Sequence, residues 1–371
     1  MIDRGSKTPV YKQIYEDITL RILQGVYPPG SMIPSESKLC SIYGVERATV
    51  RRALALMVDD GKVVRIPGLG TSVGAFGSQA DQGKTKLMLF LLPRGQNNTD
   101  MIREPFNAQL MDAMEHECSS RGYDLLYRSF AEKDTAEDIL RSCNPSGIFF
   151  ASFLPVEIYK ELHKKGIPAV LVNQSFSEYP SVSLDNKSGA HMVMDYLLGL
   201  GHREIGFIGT DTEGQIHADR FSGYTESLER KGLPVNPEWI VTGDWTMASG
   251  KAAMRQLIGR GRLPTAIFAA NDAMAIGAVM EALDSGYSVP GDISIVGFDN
   301  VDQATYIRPA LTTVAVDYRT ISRAAFMLML DMIERGNSEL NVNVYVPLNL
   351  VERESTLRIQ PSEMNRLQFI S

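Results

Sequence analysis

The chain is expected to fold as a small α+β head followed by an α/β body of two doubly wound parallel-sheet lobes, and three observations carry that expectation. Residues 1–75 place apolar side chains at helical spacing between glycine and proline punctuation and close on a hairpin pattern. From residue 86 onward, short apolar runs alternate with amphipathic helical segments, the pattern of parallel sheets covered by helices. Eight such runs exceed what one small doubly wound sheet needs, so the body divides into two lobes. The length of 371 residues agrees, because folding units usually run ~100–200 residues.

In the head, Val10 to Gln24 carries Ile14, Ile18 and Ile22 at helical spacing, with Tyr11 and Tyr15 nearby, and Gly25 stops it. Tyr27-Pro28-Pro29-Gly30 is a rigid turn. A second helix begins after Pro34 with Ser35 as its N-cap and ends at Gly44. A third begins near Glu46, turns Val50, Leu54, Met57 and Val58 inward, and ends at Asp59-Asp60-Gly61. Lys62–Ile66 reads as a strand, Pro67–Gly70 as a tight turn and Thr71–Val73 as the returning strand. Two short helices joined by a tight turn and followed by a hairpin make a winged helix-turn-helix. The third helix is then the recognition helix, with Arg47, Thr49, Arg51 and Arg52 on its polar face. An arginine near its start can reach guanine in the major groove, and the others can meet phosphates.

Residues 76–85 are rich in Gly, Ser and Gln and read as a linker. Gly83-Lys84-Thr85 imitates a phosphate loop, but Gly77 lies one residue too far upstream and the segment precedes a strand, so it is read as no nucleotide site.

In the body, residues 86–371, the strands are expected at Leu87–Leu92, Tyr123–Tyr127, Gly147–Ala151, Ala169–Val172, Ile205–Ile208, Ile240–Val241, Ala266–Ala270 and Ile293–Val296. One lobe takes residues 86–184 and 313–346, the other 185–312 and 347–371. Ligands of such folds sit beyond the carboxyl ends of the strands, which directs attention to Arg94, Asn173, Asp211, Trp245, Asn271-Asp272 and Asp299-Asn300. Carboxylates and amides pair with vicinal hydroxyls, and an aromatic face packs on the C–H side of a sugar ring. No nucleophile elbow or Ser/His/Asp set is present in a plausible context, so no catalytic residue is expected.

The net charge of -7 is uneven. Residues 1–75 hold 10 Lys+Arg against 7 Asp+Glu (+3), leaving 27 against 37 (-10) in the rest, as for an anion-binding head on an anion-repelling body. Cys40, Cys118 and Cys143 are few and widely spaced, which suits free thiols in a reducing cytoplasm rather than a disulfide framework or a zinc site. No apolar run approaches the ~20 residues of a membrane span, and the start of the chain turns polar at once, unlike a secretion signal. No metal and no cofactor is expected.

The stretches Val10-Tyr11-Lys12-Gln13-Ile14, Gly25–Gly30, Pro34-Ser35-Glu36, Gly44–Leu54 and Gly68-Leu69-Gly70-Thr71 resemble the DNA-binding domain of the GntR family. The resemblance implies that Ser35, Glu36, Arg47, Thr49, Arg51 and the wing residue Gly68 lie at DNA. Three positions depart from the family: Ser37 where arginine is frequent, Glu46 where serine is usual, and Leu69 at a frequently basic wing position. Further on, Asp185-Asn186, Leu200–Ile205, Arg220–Tyr224, Ala270-Asn271-Asp272, Val289–Asp299, Pro309–Val314 and Leu350–Thr356 resemble the LacI/GalR effector domain, whose periplasmic-binding-protein-like fold is shared with periplasmic sugar-binding proteins. That resemblance implies that Arg220, Asp272 and Asp299 clamp the ligand in the cleft between lobes. Phe106 and Trp245 are then its aromatic walls, with Asn173 and Glu104 as further contacts.

Each residue also has a plainer reading. Asp272 could cap the following helix, Asp299 a turn, Arg220 could be an internal ion pair, and Trp245 and Phe106 could be packing residues. His202 reads as structural. The pairing of this head with this body resembles the arabinose repressors of Gram-positive bacteria. It implies a homodimeric repressor that leaves operator DNA on binding L-arabinose, with another sugar, a sugar phosphate or a nucleobase as the alternative effector.

Overall fold

The computed structural model describes residues 8–28, 30–60, 62–66, 70–73, 86–94, 100–131, 133–141, 143–151, 156–174, 176, 178–210, 214–336 and 342–359. Gly68, the linker 76–85 and Asp211 lie outside them.

The head holds α1 (Val10–Leu23), α2 (Glu36–Tyr43), α3 (Arg47–Asp59) and the antiparallel hairpin β1 (Val63–Ile66) and β2 (Gly70–Val73). Its core joins Ile14, Ile18 and Ile22 of α1 to Leu39, Val50, Leu54, Met57, Val63 and Val73. The Ser35 hydroxyl accepts from the Lys38 amide at 3.3 Å, capping α2, and Gly44 ends that helix at φ 64°. Lys62, expected in the first wing strand, precedes it and is buried at 3% exposure. An ammonium is withdrawn from water only against a partner, and here that is Asp331 at 2.9 Å.

The body continues with β3 (Leu87–Pro93), α4 (Pro105–Ser119), β4 (Asp124–Phe130), α5 (Ala136–Leu140), β5 (Gly147–Ala151), α6 (Val156–Lys164), β6 (Ala169–Val172) and β7 (Ser181–Leu184). Then come α7 (Asn186–Gly199), β8 (Ile205–Thr210), α8 (Gln215–Arg230), β9 (Ile240–Gly243), α9 (Met247–Gly259), β10 (Ala266–Ala269), α10 (Asp272–Asp284), β11 (Ser294–Val296), α11 (Gln303–Tyr306) and β12 (Thr313–Ala315). The chain ends on α12 (Tyr318–Glu334), β13 (Asn343–Val346) and β14 (Asn349–Val351).

Two compact units result. The first comprises residues 1–100, 110–183 and 318–346, so it includes the head; the second comprises 101–109, 184–317 and 347–371. A six-stranded sheet, order β13-β7-β6-β5-β3-β4, has parallel pairing from β7 through to β4. The second unit is built on an all-parallel sheet, order β11-β10-β8-β9, beside the antiparallel pair β12-β14. The runs Gly147–Ala151 and Ala169–Val172 are strands at the expected bounds and are buried throughout. β7, β12, β13 and β14 were not expected: Ser181, Ser183, Thr313 and Asn343 dilute their apolar signal, and pairing alone makes them strands.

Candidate functional site

On the head, α3 presents Arg47 and Arg51 with side chains 65% and 57% exposed. Both converge on one carboxylate of α2, with Glu36 Oε2 2.8 Å from Arg47 Nε and 3.0 Å from Arg51 Nε; Arg65 of β1 lies 3.8 Å from Glu36 Oε1. The guanidinium groups hold the Glu36 carboxyl below its usual range. This carboxylate pre-positions two fork-shaped donors, and most of each fork remains exposed. Thr49 is half-buried and Ser35 is spent on its cap. Arg52 goes elsewhere: its guanidinium stacks 4.1 Å from the Tyr11 ring on α1, which gives it a packing partner within the head. No local pattern marks Arg65, because its neighbourhood to Glu36 depends on the hairpin folding back.

In the second unit, the carboxyl ends of β8, β9, β10 and β11 gather the polar residues. Arg220 of α8 is 2% exposed and fully engaged: its Nε donates to Asn186 Oδ1 at 2.9 Å, one terminal nitrogen donates to the Ala270 carbonyl, and the other lies 3.5 Å from Asp299 Oδ1. Its guanidinium stacks 3.6 Å from the centre of the Phe298 ring and stands 5.9 Å from that of Trp245. Burial pushes the Asp299 carboxyl up to about 7, with Arg220 pulling the other way.

Asp272 is fully buried. Its Oδ1 accepts from the Thr313 hydroxyl at 2.5 Å and its Oδ2 from the Val301 amide at 2.9 Å. Burial and then the Asp299 charge raise its carboxyl well above the ordinary value. Thus Asp272 ties β12 and the loop after β11 together, and Gly297 is needed beside it, since a Cβ there would stand 2.1 Å from Asp272 Oδ1. The helix cap belongs to its neighbour: Asn271 Oδ1 accepts from the Met274 amide at 2.9 Å while its Nδ2 donates to the Trp245 carbonyl, also at 2.9 Å. Asn271 is among the strand-end positions that the sequence indicates, but no local pattern separates it from Asp272 as the cap.

The backbone adds an independent signal. Among the described residues, positive φ outside glycine occurs at Asn173 (60°), Trp245 (72°), Asp299 (118°) and Asn300 (57°). All four follow strands at their carboxyl ends, and each stands among the positions that the strand pattern indicates. Asn and Asp tolerate the left-handed region; a tryptophan there is strained, and such strain concentrates at binding sites. Trp245 is half-buried. Glu104 and Phe106, both half-buried, flank the start of α4 after a short 3-10 turn that the Asn107 side chain closes on the Met101 carbonyl at 2.9 Å. Burial and then the Asp244 charge raise the Glu104 carboxyl. In the first unit, Asn173 is 4% exposed and its Oδ1 has no hydrogen-bond partner. His202 is buried between the Thr265 hydroxyl at 3.0 Å and the Leu357 carbonyl at 3.1 Å.

Residues 10–73 match the bacterial regulatory proteins of the gntR family, and residues 194–356 match the periplasmic binding protein-like domain. A winged helix carried on such a body defines a bacterial transcription regulator with a ligand-binding domain. The HTH-type transcriptional repressor CytR of Escherichia coli K12 is 31% identical over 303 residues, spanning 78% of this chain and 87% of that protein. The repressor PurR of Proteus mirabilis is 32% identical over 267 residues, 68% of this chain and 76% of that protein. The chain therefore belongs to the family of LacI-type transcriptional repressors, with a GntR-type head. Among solved structures, a LacI-family regulatory protein from Chloroflexus aggregans superposes with a TM-score of 0.62 at 26% identity, covering 74% of this chain and 99% of that one. The regulator CelR in complex with cellobiose shares the fold at a TM-score of 0.66 and 24% identity, covering 87% and 100%.

Proposed function

We propose that this chain is a cytoplasmic homodimeric repressor that grips a pseudo-palindromic operator through its winged helices and releases it on binding L-arabinose. The observation that carries the effector half is the set of strand-end residues, with strained Trp245 and the Arg220–Asp299 pair at its centre. A guanidinium and a carboxylate already held in place can exchange their mutual contacts for vicinal hydroxyls without reorganising, and an indole beside them can cover the C–H face of a ring. The Asp244 carboxylate, which accepts from the Thr246 amide and hydroxyl, favours a neutral polyol over a sugar phosphate, since an added anion would meet like charge. Asp272 contributes by holding the loop that carries Asp299, and Asn271 joins Arg220, Asp299, Trp245, Phe106, Glu104 and Asn173 as a candidate contact. L-arabinose is chosen on the resemblance of the head-and-body pairing to the arabinose repressors.

The operator half rests on Arg47 and Arg51, held by Glu36 with their forks outward, together with Thr49 and the wing. For the dimer, α10 is the candidate face: Met280 and Leu283 are 40% and 42% exposed, whereas Met274, Ile276 and Val279 are buried in the second unit's own core. Ligand binding that favours one state by ~1–3 kcal/mol changes DNA affinity ~5–150-fold. Thermal-shift titration with L-arabinose, D-xylose, D-galactose, ribose 5-phosphate and adenine tests the effector. A rise in melting temperature confined to L-arabinose, lost in Trp245→Ala, supports the assignment; a rise with another compound transfers the site to that compound.

A further inference from the structure

The winged helix meets the body of its own unit through a charged, largely dry contact, and nothing in the operator or effector readings uses it. Lys62, just before β1, places its Nζ 2.9 Å from Asp331 Oδ1 on α12, with the two side chains 3% and 9% exposed. The same ammonium lies 4.9 Å from the centre of the Tyr15 ring on α1. Arg335, one turn beyond Asp331, is 3.0 Å from Asp331 Oδ2 and 3.7 Å from Asp60 Oδ2, and donates to the Tyr15 hydroxyl, which in turn donates to Asp60 at 2.5 Å. Glu334 is the remaining charge of this cluster. Helices α1 and α12 touch along this contact, and the Gln24 amide donates to the Tyr345 carbonyl of β13 at 3.4 Å.

We propose that the head is docked rather than merely tethered: α12 holds it through the Lys62–Asp331 pair, so that head and α12 move as one body. A lysine withdrawn from water is costly unless its partner is in place, and a buried pair tolerates little displacement, so the contact selects one orientation of the head. Desolvation drives the Lys62 ammonium below its ordinary pKa, and the Asp331 charge opposes that shift.

The chain passes from the second unit to the first at Asp317–Tyr318, where α12 begins, and the docking residues lie at the other end of that helix. Over 17 residues α12 is a strut of about 25 Å, at about 1.5 Å per residue. Because α12 packs on β5, β6 and β13, a head paired with it is fixed to the sheet of the first unit as well as to the linker. Arg47 and Arg51 take no part in the contact and stay exposed, so docking orients the reading face without hiding it.

The test needs neither an operator nor an effector. Hydrogen exchange is followed by mass spectrometry on the full chain and on its Asp331→Ala, Lys62→Glu and charge-swapped Lys62→Glu/Asp331→Lys variants. Docking predicts that both single variants raise exchange in 10–23 and in the second half of α12 together, by at least about tenfold, while β3 to β6 stay protected. The swap should restore both segments, and low-salt affinity for a random-sequence duplex should stay within about twofold throughout, because the phosphate-contacting face is intact. Wild-type exchange at 10–23 in both single variants overturns the proposal, as does a change confined to α12. Should Asp331→Ala loosen β3 to β6 as well, Lys62→Glu decides: its ammonium belongs to the head, and a head that ignores its loss is not docked.

Discussion

Asp299 combines three properties that no neighbour shares: a φ of 118°, burial to 4% exposure, and an ion pair with Arg220 at 3.5 Å. With its carboxyl raised to about 7 in the fold, against ~3.9 in an unfolded chain, the native state holds that proton more tightly. The stabilisation from Asp299 is thus complete below pH ~4 and is lost as pH rises toward ~7. Melting curves between pH 4 and 8 should show a steeper fall for the native chain than for Asp299→Asn; parallel curves would refute this. Arg220→Ala removes the guanidinium paired with that carboxylate, and breaking a buried pair costs about 3–5 kcal/mol. The cost should shrink at pH 5, where Asp299 can take up a proton, and denaturant melts at pH 5 and 8 read the difference. His202 works in the opposite sense. Burial lowers its pKa to about 4, so its stabilisation is present above pH ~6.5 and lost as pH falls toward ~4. His202→Gln should flatten that acid limb of the stability curve. Of these three residues, motif spacing made all legible as positions of interest. Their protonation was not legible, because burial and partners come from segments 34 to 155 residues away.

Two elements show what local sequence can and cannot specify. The end signals of α2 are entirely local: Ser35 caps the start and Gly44 adopts the left-handed φ of 64° at the end. Ser35→Ala should therefore cost about 1 kcal/mol of head stability, measurable by chemical denaturation, with no change in the body. The packing of α9 on α10 was not legible. A Cβ at Gly250 would stand 2.1 Å from the Met274 carbonyl oxygen, and one at Gly277 2.1 Å from the Met247 carbonyl oxygen. Each helix presents a glycine to the other's backbone, and backbone cannot step aside as a flexible side chain can. Gly277→Ala should destabilise by about 1–3 kcal/mol or more despite alanine's better helix propensity. A stabilised variant would show that the helices separate freely. Strands divide the same way: uniformly apolar β5 and β6 announce themselves, whereas β12 and β14 exist only because each pairs with the other.

At the scale of the whole molecule, charge segregation makes its own prediction. A +3 head on a -10 remainder should bind duplex DNA with strong salt dependence, since each neutralised phosphate releases counterions. Arg47→Ala should weaken operator binding and reduce the log–log salt slope by about one if Arg47 meets phosphate. An unchanged slope with relaxed sequence preference would place it on a base edge. The sequence by itself determined the two-part architecture, the order of helices and strands in the head, and the strand ends at which the polar residues of the second unit gather. These depend on periodicity, caps and breakers, which act over a few residues. Only the tertiary structure decided that Asn271 rather than Asp272 caps α10, that Arg52 packs on Tyr11, and that Lys62 leaves the wing to pair with Asp331. Each of those outcomes is a choice of partner for a polar group leaving water. Such a choice depends on which distant segment arrives beside it, and no local pattern in the chain encodes that.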